Sequence, residues 1–177
     1  MRITSHLVRG FAALALVGGT TFAAVAPSQA MIPVPEGTVT CVNSFGNPNT
    51  CAEAVTWAKN HRTGPDNPNP AYTNMCDHIA GLEYGWAHSG STTAYVHWTQ
   101  IPSTRRYPGD RTVPAGGLAF FSNGGAGHVM ISIGGGTFVS NDIHGNGTLT
   151  NTTIAEIENK WGAHYLGWAQ PWFQANH

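Results

Sequence analysis

Charge is scarce in this sequence: 10% of its 177 residues are Asp, Glu, Lys or Arg, with eight basic side chains against nine acidic. The basic ones are scattered, which excludes the concentrated footprint of nucleic-acid binding or of a polybasic membrane patch. Metal motifs are missing as well. There is no HExxH, no CxxC and no closely spaced histidine pair, so neither a metal nor another cofactor is expected. The 22 glycines follow no G-X-Y period, so the chain is not a collagen-like fibre, and no internal repeat or low-complexity segment is visible. With 41% apolar residues and almost no net charge, it is too hydrophobic to remain disordered. Cysteine is rare too, and its count of three is odd.

One long apolar stretch is present, at the start. Arg2 and Arg9 precede the alanine-rich segment 11–26, and Ser28-Gln29-Ala30 supplies small residues for cleavage, so residues 1–30 are expected to be a secretory signal peptide. Gly18-Gly19-Thr20-Thr21 interrupts the stretch short of the roughly 20 apolar residues that a membrane helix needs. The expected product is residues 31–177, one domain, secreted and extracellular, with no membrane attachment after cleavage and no oligomer anticipated. Loss of Arg2 and Arg9 leaves six basic against nine acidic residues, a formal charge of −3.

Along the mature chain, residues 31–50 read as a strand-and-loop lead-in. Thr50-Cys51-Ala52-Glu53 is a capping box opening a helix to about His61, and the Pro- and Asn-rich stretch 63–70 ends it. A second helix is expected near Asn74, with Met75, Ile79, Leu82 and Trp86 on one face, and a third over 91–100. Short β-like runs follow at 117–122, 128–133, 137–142 and 165–168. One late helix over 154–161 interrupts them, opened by the capping box Thr153-Ile154-Ala155-Glu156. Helices first and an antiparallel sheet second predict an α+β fold.

In an oxidising compartment two of the three cysteines should pair. Three pairings exist; the shortest joins Cys41 to Cys51 across Gly46-Asn47-Pro48-Asn49, which can turn the chain back. That pairing leaves Cys76 free. With Asn74 as N-cap, Cys76 falls in the first turn of its helix, where unsatisfied amides favour a thiolate and can hold an oxyanion. A thiol nucleophile needs a base. His128 opens the strand His128-Val-Met-Ile-Ser-Ile133 directly after the small residues Gly124-Gly125-Ala126-Gly127. A three-residue turn at Gly134-Gly135-Gly136 sets His128 opposite Asp142, whereas a two-residue turn sets it opposite Asn141. Asp142 is the preferred partner for the imidazole, with Asn141 and Ser140 as alternatives. The remaining histidines, including His78, His88, His97 and His144, have ordinary solvated or hydrogen-bonded roles to play.

Four segments together carry a family likeness: the leader, Tyr72-Thr-Asn-Met-Cys76-Asp-His-Ile-Ala80, Pro114-Ala-Gly-Gly-Leu-Ala-Phe-Phe121, and Gly127-His128-Val-Met-Ile-Ser-Ile-Gly134. The chain resembles the papain-like cell-wall cysteine hydrolases of the NlpC and CHAP type over about residues 70–173. Its closing Tyr165-Leu-Gly-Trp168 and Pro171-Trp-Phe173 look like the last strand of such secreted actinobacterial-type proteins. The resemblance implies a papain-like fold with N-terminal helices packed on a small antiparallel sheet. It also implies catalysis by Cys76, His128 and Asp142, and a substrate that is peptidoglycan or another peptide amide. It suggests that Tyr72 faces the substrate or the oxyanion site, with Asp77 and Asn141 as further candidates there. Two other classes fit the same residues: a non-catalytic wall-binding or inhibitory module with tryptophans lining a glycan groove, and an acyltransferase or transglutaminase-like enzyme that passes the thioester to an amine.

Overall fold

The capping box at Thr50 forms as its residues dictate. Helix α1 (Cys51–Asn60) starts there, with Thr50 accepting from the Glu53 amide and the Glu53 carboxylate accepting from the Thr50 amide. This is a computed structural model describing residues 39–43 and 45–177, so the expected leader lies outside the described residues. Among the described residues of 39–50 there is no strand, in keeping with a lead-in rich in Pro, Gly and Asn. The disulfide Cys41–Cys51 ties it to the first residue of α1. Gly116 packs against this bridge, so closely that an added Cβ there would meet the Cys51 Cβ at 2.6 Å.

Two further helices follow, α2 (Cys76–Glu83) and α3 (Ala94–Gln100), and a fourth comes late, α4 (Ile154–Trp161). Helix α3 is shorter than expected because Thr93, not Ser91, caps it by accepting from the Val96 amide. Only half of the second capping box forms. Thr153 accepts from the Glu156 amide, but the Glu156 carboxylate is taken by His144 and Thr152.

Six strands make one sheet: β1 (Arg106–Pro108), β2 (Leu118–Ser122), β3 (His128–Gly134), β4 (Thr137–Asn141), β5 (Leu149–Thr152) and β6 (His164–Ala169). The order is β1-β6-β2-β3-β4-β5 and every neighbouring pair is antiparallel. The fold is therefore α+β, with helices packed on an antiparallel sheet. Strands β1 and β5 escape sequence reading because neither has an alternating apolar pattern. Pairing forms them, and Tyr107 stacks on its cross-strand partner Trp168 at 3.9 Å.

Alternation along β2 divides the core between two faces. Leu118 and Phe120 join Ile79, Tyr84, Trp98, Val129, Ile131 and Phe173 on the side of α1, α2 and α3. Ala119 and Phe121 join Met130, Phe138, Ile157 and Trp168 on the side of α4. The two layers thus set α2 and β3 against each other, which brings the cysteine segment to the histidine strand.

The disulfide yields a direct check. Alkylation of the unfolded, unreduced chain is expected to modify one cysteine, Cys76, and after reduction all three. Reduction is expected to lower stability by about 2–3 kcal/mol in thermal or urea unfolding, the scale for closing so short a loop. Three reactive thiols without reductant would contradict the pairing.

Candidate active site

Cys76 is the first residue of α2, but Asn74 does not cap the helix as the sequence suggested. Asn74 adopts a left-handed backbone (φ 58°) and gives its amide to Asp142 Oδ2 at 2.7 Å. Met75 becomes the N-cap and has no capping side-chain bond. The first-turn amides of α2 are therefore left open to a ligand, at the residue that carries the free thiol.

His128 begins β3 immediately after a loop held by Asn123, whose side-chain oxygen accepts from the amides of Gly125 and Gly127. Gly127 is required there, since it has φ 71° and an added Cβ would meet the Phe121 carbonyl at 2.7 Å. The imidazole is buried, with its Nε2 2.7 Å from Ser140 Oγ. The Ser140 hydroxyl has a second neighbour, the Asn141 carbonyl at 3.2 Å. Donation to that carbonyl leaves the hydroxyl oxygen to accept from Nε2–H, which makes Nδ1 the basic nitrogen. Nδ1 has no hydrogen-bond partner among the described residues.

The structure thus sets Ser140 on the imidazole, and not Asp142. The reason lies in strand alternation. The β3–β4 ladder pairs Ile131 with Val139, so Ser140 is the diagonal same-face neighbour of His128. Strand β4 stops at Asn141, and Asp142 turns left-handed (φ 62°). Its carboxylate accepts from the amides of Asn74 and Gly147 at 2.7 and 2.6 Å and from the Asn141 side chain at 2.7 Å.

The three residues considered for the oxyanion site are engaged elsewhere. Asn141 spends both side-chain protons on the Tyr72 carbonyl and Asp142, and its buried Oδ1 has no partner. Tyr72 is a core residue that lines neither cavity at Cys76. Asp77 is buried against His97. The remaining donors for an oxyanion are the open amides of α2.

Two cavities meet at Asn74, Cys76 and Ala126. One, of about 250 Å³, holds His128, Asn141, Asp142 and Trp161. The other, of about 270 Å³, is walled by His78, His88, Ser91 and Thr93. Trp161 was not singled out by the sequence. It is 39% exposed at the end of α4, and stands edge-on to the His128 ring with centroids 4.9 Å apart. Among the described residues no group of three or more His, Cys, Asp or Glu is placed to hold a metal ion.

Burial favours the uncharged form of both Cys76 and His128. Burial pushes the Cys76 thiol up to about 11, the charges of Asp77 and Asp142 add to this, and the backbone of Val129 and Asp77 pulls the other way. Burial pushes His128 down to about 3. A raised thiol value means protonation persists to high pH. Iodoacetamide should accordingly alkylate Cys76 slowly at pH 7, with a rate rising about tenfold per pH unit toward pH 10. A fast, pH-independent rate between pH 6 and 8 would mean a thiolate already formed. Compared with protein-family models, with curated proteins and with solved structures, the chain finds no match, so its site is read from its own residues.

Proposed function

We propose that this chain is an exported, papain-like thiol hydrolase of amide bonds, and that its substrate is peptidoglycan, cut within the stem peptide or at the amide joining sugar to peptide. One observation carries the chemistry: the free cysteine opens an uncapped helix and lines the same cavity as an imidazole whose Nε2 is fixed by a serine. The substrate class rests on the resemblance to NlpC and CHAP hydrolases. The Cys41–Cys51 bridge supports an oxidising destination. Among the described residues, no helix is long and apolar enough to cross a membrane.

The neutral resting pair favours general-base attack over a preformed ion pair. His128 Nδ1 takes the thiol proton as Sγ bonds to the carbonyl carbon, and the carbonyl π electrons move to oxygen, which the α2 amides stabilise. The tetrahedral intermediate then collapses. The C–N bond breaks, imidazolium returns its proton to the leaving nitrogen, and a thioester remains on Cys76. Water, deprotonated by His128, attacks the thioester, releasing the acid and restoring the thiol.

This mechanism gives the cleft a direction. The leaving nitrogen must reach His128, so the amine side of the substrate occupies the cavity with Trp161. The acyl side occupies the cavity walled by His78 and His88. Recognition rests on shape and on exposed apolar groups, since the mature charge of −3 offers no electrostatic hold on an anionic wall.

Purified peptidoglycan incubated with the protein should release new amino termini or lactyl-peptides in mass spectrometry, and Cys76→Ala should release none. Intact sacculi after long incubation with wild type would sink the wall-hydrolase reading, while transfer of the acyl group to an added amine without hydrolysis would move it to the acyltransferases. Ser140→Ala should lower kcat by about 10–100-fold through loss of ring orientation. Activity should persist to about pH 4–5, because a depressed histidine value keeps the base unprotonated in mild acid; an acid limb centred near 6.5 would contradict this. Trp161→Ala should raise KM mainly for substrates extended on the amine side, and an equal effect on unextended amides would reverse the assigned direction.

A further inference from the structure

The residue after Cys76 belongs to an arrangement that the hydrolytic steps do not use. Asp77 is buried at the start of α2, with Oδ1 2.6 Å from Nδ1 of His97 on α3, and His97 is fully buried. Nε2 of the same ring lies 2.6 Å from the Trp172 carbonyl. The Ser89 hydroxyl donates to Asp77 Oδ2, while Ser89 Oγ itself accepts from the Ser91 amide. A carboxylate and a carbonyl offer only lone pairs. Each ring nitrogen of His97 thus faces an acceptor, an arrangement that a doubly protonated ring paired with a carboxylate satisfies in full.

The placement matters because negative charge develops at this end of α2 during turnover, first toward Sγ and then on the oxyanion. An uncompensated carboxylate one residue away would oppose both. Asp77 already acts on the Cys76 thiol in that sense, as does Asp142. The other ionisable groups lining the cavities at Cys76 are His128, His78 and His88. His97 is fully buried and lines neither cavity.

We propose that Asp77 and His97 form a buried positioning pair, in which Asp77 anchors the first turn of α2 to α3 and the C-terminal segment while a protonated His97 offsets part of its charge at the nucleophile. Two oxygens are needed for this, one for His97 and one for Ser89. Gly81 completes the joint, since an added Cβ there would meet the Ser89 amide nitrogen at 2.7 Å. Asp77 lines the cavity beside Cys76, but both its carboxylate oxygens are committed to His97 and Ser89, and His97 lines neither cavity. Their effect on turnover rests on Cys76 being the nucleophile, but their effect on the thiol does not.

The test uses the mature protein and its His97→Gln, Asp77→Asn and doubly substituted forms, each checked for folding by thermal melt. Iodoacetamide alkylation of Cys76 is measured from pH 7 to 10. His97→Gln should slow alkylation about tenfold at each pH on the rising limb, as an unneutralised neighbouring carboxylate does. Adding Asp77→Asn should bring the rate back to within about threefold of wild type, because the charge goes with it. A double variant as slow as His97→Gln, or no change in any variant, would overturn the proposal. Should His97→Gln not fold, nitrogen-15 NMR of the wild type decides: His97 with both ring nitrogens protonated at pH 7 supports the pair, and a neutral ring overturns it. Absence of hydrolysis by wild type would count against the hydrolase reading alone and leave the alkylation result standing.

Discussion

The carboxylate of Asp142 is the constraint on which the site depends. It holds the amide of Asn74, 68 residues earlier in the chain, and the amide of Gly147 in its own loop. Asn74 and Asp142 are the two described non-glycine residues with a left-handed backbone, and they hydrogen-bond to each other. Such conformations cost of order 1 kcal/mol or more each and persist where surrounding bonds over-determine them. Here the bonds fix the turn that delivers Cys76 to the start of α2. The strain is local to the cavity that Cys76 and His128 share.

From that turn the rest of the site follows. Because Asn74 is drawn toward the sheet, it cannot serve as a conventional cap, and the amides it would have satisfied stay open beside the thiol. Because Asp142 is committed to backbone amides, the imidazole is left to Ser140, a neutral partner. A neutral partner orients the ring without raising its basicity, consistent with a histidine that burial holds far below its usual range. The thiol is held far above its own. On the proposed mechanism such a pair would store no charge at rest and move a proton only when a carbonyl is present to receive the sulfur, which would protect a free cysteine in an oxidising compartment from adventitious chemistry.

Much of this was legible in the sequence, and the failures have physical causes. The capping residues of α1 were readable because they depend on neighbours three residues apart, whereas the cysteine pairing and the β3–β4 register were narrowed to a few alternatives. A two-residue Gly135-Gly136 turn forms in place of the three-residue one, and a register shift between Ser132 and Gly134 leaves Ile131 paired with Val139. Asp142 as imidazole partner was a sound reading of a regular ladder, and it fails because β4 ends one residue early. Strands β1 and β5 were invisible, since neither Arg106–Pro108 nor Leu149–Thr152 has an alternating apolar pattern, and they form by pairing, β1 with the distant β6 and β5 with the neighbouring β4. His97 was assigned an ordinary role because nothing in its local pattern reports that α3 packs it against the first turn of α2. Trp161 fell at the end of an amphipathic helix, where exposure and burial look alike from the residues alone.

The account stands on a covalent acyl group passing through Cys76. Acid-quenching the protein during turnover of a soluble peptide-amide substrate, followed by proteolysis and mass spectrometry, measures this directly. The prediction is a mass increment equal to the acyl moiety on the peptide containing Cys76, labile to hydroxylamine and absent from the Cys76→Ala protein. Turnover with no increment on that peptide, or with the increment on another residue, would contradict it.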